Sequence, residues 1–480
     1  MIDQRVWPVV VAVSSRTAWL LIGGLLWSVA ASAQLVTINS DTTINDNIFT
    51  TGIDVVEGGG GAQTTVTIVS PAQIGFTNIA TEGDLSVRAN DDSEILLNGG
   101  TLTGDIRLED TSQLVVSDSP LLQSGSNKEV DAYDAATIDY SGATVSWSTN
   151  MQEGASLAMT GGMVTVVNDV IDLFNLGQLP PTGTIEMSGV TVDSRDLLDV
   201  FDSDGVQVQF TDLVVTKRDA VDIFDGTGTH LTWIGGSIQS DLGTPADSVD
   251  AFDTFNSAFD TVLLVRSVPI VGRDALDVRT DTQASLEHLT IMGDDAVDAF
   301  DSPQVRLLDV TITGDDAIDA FNSSQVRLFD VTIIGADAVD AFDSSRVELF
   351  DVTITGDDAI DVFGSAQIFL RNVVATSSNA ELGVFSTGTA TIFGRNFFID
   401  GVPAPDGPVS ATSGVITGTN LNGTPFQFQF TRDEGATVIL VSERVAAPLL
   451  SPLWLLALAL VLLAIAIRRL TRQSRQRRLA

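Results

Sequence analysis

Gly293-Asp-Asp-Ala-Val-Asp-Ala-Phe300 recurs 21 residues later as Gly314-Asp-Asp-Ala-Ile-Asp-Ala-Phe321. It returns as Gly335-Ala-Asp-Ala-Val-Asp-Ala-Phe342 and as Gly356-Asp-Asp-Ala-Ile-Asp-Val-Phe363. The first copy runs on into Gln304-Val-Arg-Leu-Leu-Asp-Val-Thr-Ile312, and 325–333 and 346–354 repeat that second phrase. A fixed period of this length means stacked structural units, none of which can bury its apolar side alone.

The aliphatic residues of one unit fall into three groups of period two: Val297 with Ala299, Val305 with Leu307, and Val310 with Ile312. Three short strands per turn is the cross-section of a parallel β-helix, an all-β solenoid. Its coils should stack at ~4.8 Å, each residue above its counterpart. The expected inward columns are Val297, Ile318, Val339, Ile360 and Leu307, Leu328, Leu349, Leu370. An α/β leucine-rich array is the runner-up, disfavoured because no segment has helical period or length.

Upstream, the motif Asp-x-(Val/Ile/Leu)-Asp-x-Phe begins at Asp169, Asp196, Asp219, Asp247, Asp274, Asp295, Asp316, Asp337 and Asp358, with Arg279 in place of Phe in the Asp274 copy. The early steps are longer than 21 residues, so loops should bulge from those coils. Regular repeats are therefore assigned to 169–375. Residues 34–168 alternate apolar and polar residues between Gly, Asn and Asp turns, and read as irregular coils with an N-terminal cap. Residues 376–445 lose the period but keep strand-like runs, and are the candidate closing cap.

These phrases resemble the right-handed parallel β-helix repeat of pectate lyases and polygalacturonases, clearly over 169–375 and more weakly over 34–168. The resemblance implies right-handed winding. It also implies that the turn column Asp309, Asp330, Asp351, Asn372 is structural, with stacked side chains bonded to the neighbouring coil's backbone. Polygalacturonases carry a Gly-Asp-Asp pair, matched by Asp294-Asp295, Asp315-Asp316 and Asp357-Asp358, but also a Gly-His-Gly histidine and an Arg-x-Lys clamp. This chain has only His230 and His288, neither in that context, and no Arg-x-Lys. Pectate lyases use an arginine base beside calcium carboxylates, and Arg273 and Arg279 lie next to acidic columns. A carboxylate pair can hydrolyse a glycoside. However, an active site is normally singular, and this pair recurs on several coils.

Asp172, Asp199, Asp222, Asp250, Asp277, Asp298, Asp319, Asp340 and Asp361 should form one column, with carboxylates ~5 Å apart. Such a like-charge pair costs about 1 kcal/mol in water and more near a low-dielectric wall. Protonation, hydrogen bonds or cations would relieve it. Calcium, which takes several oxygens in flexible geometry, suits the set Asp295, Asp298, Asp316, Asp319, Asp337, Asp340, Asp358 and Asp361 as a candidate metal edge. Asp301, Asn322 and Asp343 add oxygens nearby. The alternative is solvated carboxylates that block edge association. Phe300, Phe321, Phe342 and Phe363 read as corner packing, or as a sugar-stacking strip if exposed.

The ends point to export. Arg5 and Arg16, the apolar run 18–29 and Ala31-Ser-Ala33 read as a signal peptide over 1–33, an uncleaved anchor being the alternative. Residues 446–480 hold a linker, the apolar run 453–467 and six arginines from Arg468 to Arg478. This tail resembles the PEP-CTERM and IPTL-CTERM sorting tails of Gram-negative surface proteins. The resemblance implies an inner-membrane processing protease as a partner; a plain transmembrane helix is the alternative. Setting aside Arg5, Arg16, Asp3 and the tail arginines leaves 16 basic against 62 acidic residues, near −46. Such a body repels nucleic acid and anionic lipid, and suits cations or neutral glycans. With no cysteine, neither disulfides nor thiolate metal sites hold it together. The expected role is a non-catalytic, surface-associated scaffold that binds carbohydrate or calcium. A polysaccharide lyase or glycoside hydrolase acting on acidic glycans is the alternative.

Overall fold

The structure is a computed structural model. It describes residues 36–44, 48–49, 53–56, 63–69, 73–74, 85–98, 101–102, 105–118, 121–122, 129–166, 169–174, 183–201, 205–224, 228–240, 252–255, 262–272 and 274–443. The signal segment, the C-terminal apolar run, Asp250 and Arg273 lie outside them. Every described element is a strand or a turn; no helix occurs among the described residues.

The chain winds as a right-handed parallel β-solenoid. One ladder of parallel pairings, the first sheet, runs from Val36–Ile38 through Thr149↔Ile171 and Asp298↔Asp319 to Leu382–Val384. The second sheet runs from Thr42–Ile44 to Thr389–Ile399. The third is seen from Thr144–Val145 to Val374–Ser377. A short separate ladder links Ile48–Phe49, Gln73–Ile74, Thr101–Leu102 and Leu121–Leu122.

Burial explains why each strand is short and regular. Val297, Ala299, Leu307 and Ile312 are fully buried, as are their counterparts Ile318, Ala320, Leu328 and Ile333. Each buried Leu or Ile contributes about 1.5–3 kcal/mol, and stacking repeats that gain coil after coil. The earlier coils bury aromatics: Tyr140, Trp147, Phe210 and Trp233. Trp147 Nε1 donates to the Tyr140 hydroxyl at 2.9 Å, and Phe210 meets Trp233 edge-on, with ring centres 5.1 Å apart.

Corners are made by left-handed residues. Asp309, Asp330, Asp351 and Asn372 turn the chain from the second to the third sheet with φ of 53°, 55°, 58° and 56°. Asp and Asn enter this region at least cost after Gly. At the last member the side chain bonds both ways: Asn372 Nδ2 donates to the Asp351 carboxylate at 2.9 Å, and Asn372 Oδ1 accepts from the Leu421 backbone N–H at 2.8 Å.

The last coil is covered rather than left open. Ser413–Thr419 and Pro425–Arg432 form an antiparallel pair, and Phe430–Arg432 lies in register on Leu382–Val384. Thr437–Ser442 runs parallel to 389–394. Such cover removes an edge that would otherwise pair with another chain.

One expected register is corrected. Asp222 pairs with Asp253, not Asp250, and Asp253 then pairs with Asp277. The stretch Asp250-Ala-Phe-Asp-Thr-Phe255 contains the Asp-x-Phe signature twice, three residues apart, so its spacing fits either register. The observed one places the surplus length before the strand Phe252–Phe255.

Candidate functional site: an aspartate ladder beside a phenylalanine ladder

In the strand Asp298–Phe300 only Ala299 points inward, so Asp298 and Phe300 share the outer face. Parallel pairing repeats the arrangement without drift: Asp298, Asp319, Asp340 and Asp361 are mutual register partners. The rings of Phe300, Phe321, Phe342, Phe363 and Phe385 form a second ladder, with centres 4.5, 4.7, 4.9 and 4.9 Å apart. The first three pairs are parallel within 6° and the last is tilted by 17°. Both ladders are half-buried. The phenylalanines therefore pack on one another and still show an edge to solvent.

The same aspartate column can be followed back to the first coils, where its chemistry differs. There its members are Asp54, Arg88, Arg107, Asp131 and Asn150. Arg88 and Arg107 share the Glu109 carboxylate, each at 2.6 Å. Asn150 Nδ2 donates to Asp131 at 3.0 Å. Cationic and amide side chains thus interrupt the acids in the early coils. From Asp172 onward every member through Asp361 is an aspartate.

Arg279 closes the lower end of the most regular stretch. Its Nε donates to Asp277 Oδ1 at 2.9 Å, and its guanidinium lies 5.4 Å from the Phe300 ring centre. At the upper end Gly383 replaces aspartate. A Cβ there would stand 2.1 Å from Asp361 Oδ1, so a larger residue would have to push the last carboxylate aside. Between these ends four carboxylates stack without an interleaved cation.

Their protonation records that stacking. Burial, and then the charge of neighbouring aspartates, pushes Asp298 up to about 8, Asp319 to about 7, Asp340 to about 8 and Asp361 to about 6. Asp172 is raised to about 7, first by burial and then by Asp169 and Glu129. Asp169 Oδ1, Asp172 Oδ1 and Asp298 Oδ1 are buried and make no hydrogen bond. An ionised oxygen so placed costs more than one in water.

The companion column is also in register: Asp274, Asp295, Asp316, Asp337 and Asp358 pair in succession as parallel bridges. It lies at the border of the face, with Asp337 exposed and Asp295, Asp316 and Asp358 partly so. Burial first, and nearby aspartates second, raise Asp316 and Asp337 as well. All eight proposed ligand positions therefore lie along one edge. Asp301, Asn322 and Asp343 form a corner column with φ of 63°, 56° and 57°, and Asn322 Nδ2 donates to Asp301.

Sequence reading did not single out one close acidic cluster among the described residues. Carboxylate oxygens of Asp169, Asp196 and Asp199 all lie within 4.8 Å of one another, and Asp196 and Asp199 are buried. The motif repeats there as elsewhere, and nothing in its spacing marks this coil. The histidines stand elsewhere: His230 opens a second-sheet strand, and His288 Nδ1 meets Asp309 at 2.9 Å in a corner. No family model matches the chain, and neither a curated protein nor a solved structure is found that matches it.

Proposed function

We propose that this protein is an exported, surface-associated β-helix scaffold that binds divalent cations and neutral glycans on its first-sheet face and catalyses no reaction. The observation that carries the reading is the uninterrupted Asp298–Asp319–Asp340–Asp361 ladder beside the Phe300–Phe385 ring ladder. Stacked carboxylates with raised proton affinity attract whatever cation is present, and calcium accepts many oxygens in flexible geometry. The exposed ring edges beside them offer apolar contact to sugar rings. The expected signal segment, the C-terminal apolar run and the acidic body suit a protein held outside the inner membrane, with a sorting protease as partner and no affinity for nucleic acid.

The test is a pair of measurements on the purified protein at pH 7.5. Calcium should raise the melting temperature above its value in EDTA, and a glycan array should show retention that Phe342→Ala weakens. Equal melting temperatures would remove the calcium half of the reading, and a blank array the glycan half. New reducing ends or unsaturated products from uronate polysaccharides would establish the lyase or hydrolase alternative instead.

A further inference from the structure

A different surface, the outer face of the second sheet, is built to meet itself. Across the strand that begins at Gln304, Arg306 points outward, Leu308 follows on the same face, and Asp309 makes the corner. The next coil repeats the order as Arg327, Phe329 and Asp330, each in register with its counterpart for the two strand positions. Over these two coils the result is three parallel stripes, positive, apolar and negative; one coil on, Glu348 stands in the arginine position. Phe329 and Phe350 continue the middle stripe, with stacked rings 5.0 Å apart, and Arg306 lies 5.6 Å from the Phe329 ring centre.

Glu287 takes Arg266 and Arg306, while Glu348 takes Arg327 and Arg346. These partners stand in different columns: Arg266 and Glu287 lie below Leu308 in the middle column, and Arg346 lies on Gln325. Arg306 and Arg327 are therefore neighbours on consecutive coils with no anion between them in their own column. A carboxylate from outside at that step would bridge the two arginines.

We infer that this face is a homodimer interface with a two-fold axis running parallel to the solenoid ladders. Such an axis lies along the Leu308–Phe329 stripe and exchanges left for right. The positive stripe of each copy then meets the negative stripe of the other, same coil against same coil, in an isologous contact. Arg327 faces Asp330 of the second copy, and the reverse pair forms equally. A two-fold axis across the ladders would instead set arginine against arginine. The parallel arrangement also brings the C-terminal ends of both solenoids out on one side, which suits the membrane tail of the proposed function. Apolar residues at the centre and charges at the rim follow the usual interface order. The patch is small, so the contact is weak and weakens with salt.

The absence of cysteine makes the test direct. Leu308→Cys, on the axis, should form a disulfide-linked dimer in the full-length protein under mild oxidation. Ile334→Cys, more open to solvent than Leu308 and on the third sheet, should not. Arg327→Glu in the Leu308→Cys background should lower the yield about tenfold, and adding Asp330→Lys should restore it, because each swap corrects both contacts. Arg327→Gln gives a milder loss if the reversed charge disturbs folding. Equal cross-linking of the two cysteine variants, or no recovery in the charge swap, would overturn the inference. So would binding of a polyuronate that depends on Arg327 while Leu308→Cys stays monomeric, since the face would then be a glycan site.

Discussion

Arg279 holds Asp277 through Nε at 2.9 Å while its guanidinium covers the Phe300 ring, so one side chain ends both ladders at once. The position belongs to the phenylalanine column, and arginine stands there at the coil where four bare aspartates begin. Removing it would leave the buried Asp277 carboxylate without its partner and uncover the first ring. Arg279→Gln should therefore destabilise the protein by about 2 kcal/mol, read as a lower urea midpoint with unchanged slope. A loss below a few tenths would mean that the pair is no more than a surface contact.

Stability should fall as pH rises across the neutral range. Asp298, Asp319, Asp340 and Asp361 are raised in the folded state above their ordinary 3.8, so the folded chain binds more protons than the unfolded one between those values. Their contribution is complete below about pH 4 and is lost as pH passes through roughly 6 to 8. The melting temperature in EDTA should drop by at least about 5 °C between pH 5 and pH 9, with calcium restoring much of it at the upper end. Asp340→Asn should flatten the slope and stabilise the protein at pH 8. A flat profile in EDTA would show that the ladder is relieved by some other means.

The period of 21 residues made the columns of residues 293–375 readable, because parallel stacking converts equal spacing into equal position. Where spacing varied, the reading slipped: the doubled Asp-x-Phe of 250–255 offered two registers, and only pairing with Asp222 and Asp277 selects Asp253. The early coils were less legible still. Arg88, Arg107 and Asn150 occupy the aspartate column, yet share no residue type with it, so no motif search would align them. The role of Arg279 as a cap, and the approach of Asp169, Asp196 and Asp199, are facts of distance that composition does not encode.

Phe342 lies between Phe321 and Phe363, with ring centres 4.7 and 4.9 Å away, whereas Phe300 has a ring on one side only. Truncating the inner ring removes two stacking contacts and opens a gap in the ladder. Phe342→Ala should cost about 2–3 kcal/mol, less than a fully buried Phe because one edge already faces water, and Phe300→Ala should cost less again. Denaturant titration of both variants measures the difference. Equal losses would show that the rings are stabilised by the sheet beneath them rather than by each other.

Gly383 ends the aspartate column, and a larger residue there would displace the last carboxylate. A Cβ there would meet Asp361 Oδ1 at 2.1 Å and the Phe385 ring at 2.7 Å, so the added methyl must displace both ladders together. The backbone at this position needs no left-handed conformation, and the whole penalty is steric. Gly383→Ala should destabilise the protein by about 2 kcal/mol, against the small gain that Gly→Ala gives where space allows. It should also detach the top of the ladder: Asp361 loses its place, and calcium should then raise the melting temperature less than in the parent protein. Pairing Gly383→Ala with Asp361→Gly separates the two effects. If the smaller partner restores stability while the calcium response stays reduced, the collision and the cation edge are one contact; if stability is not recovered, the Phe385 ring carries the strain.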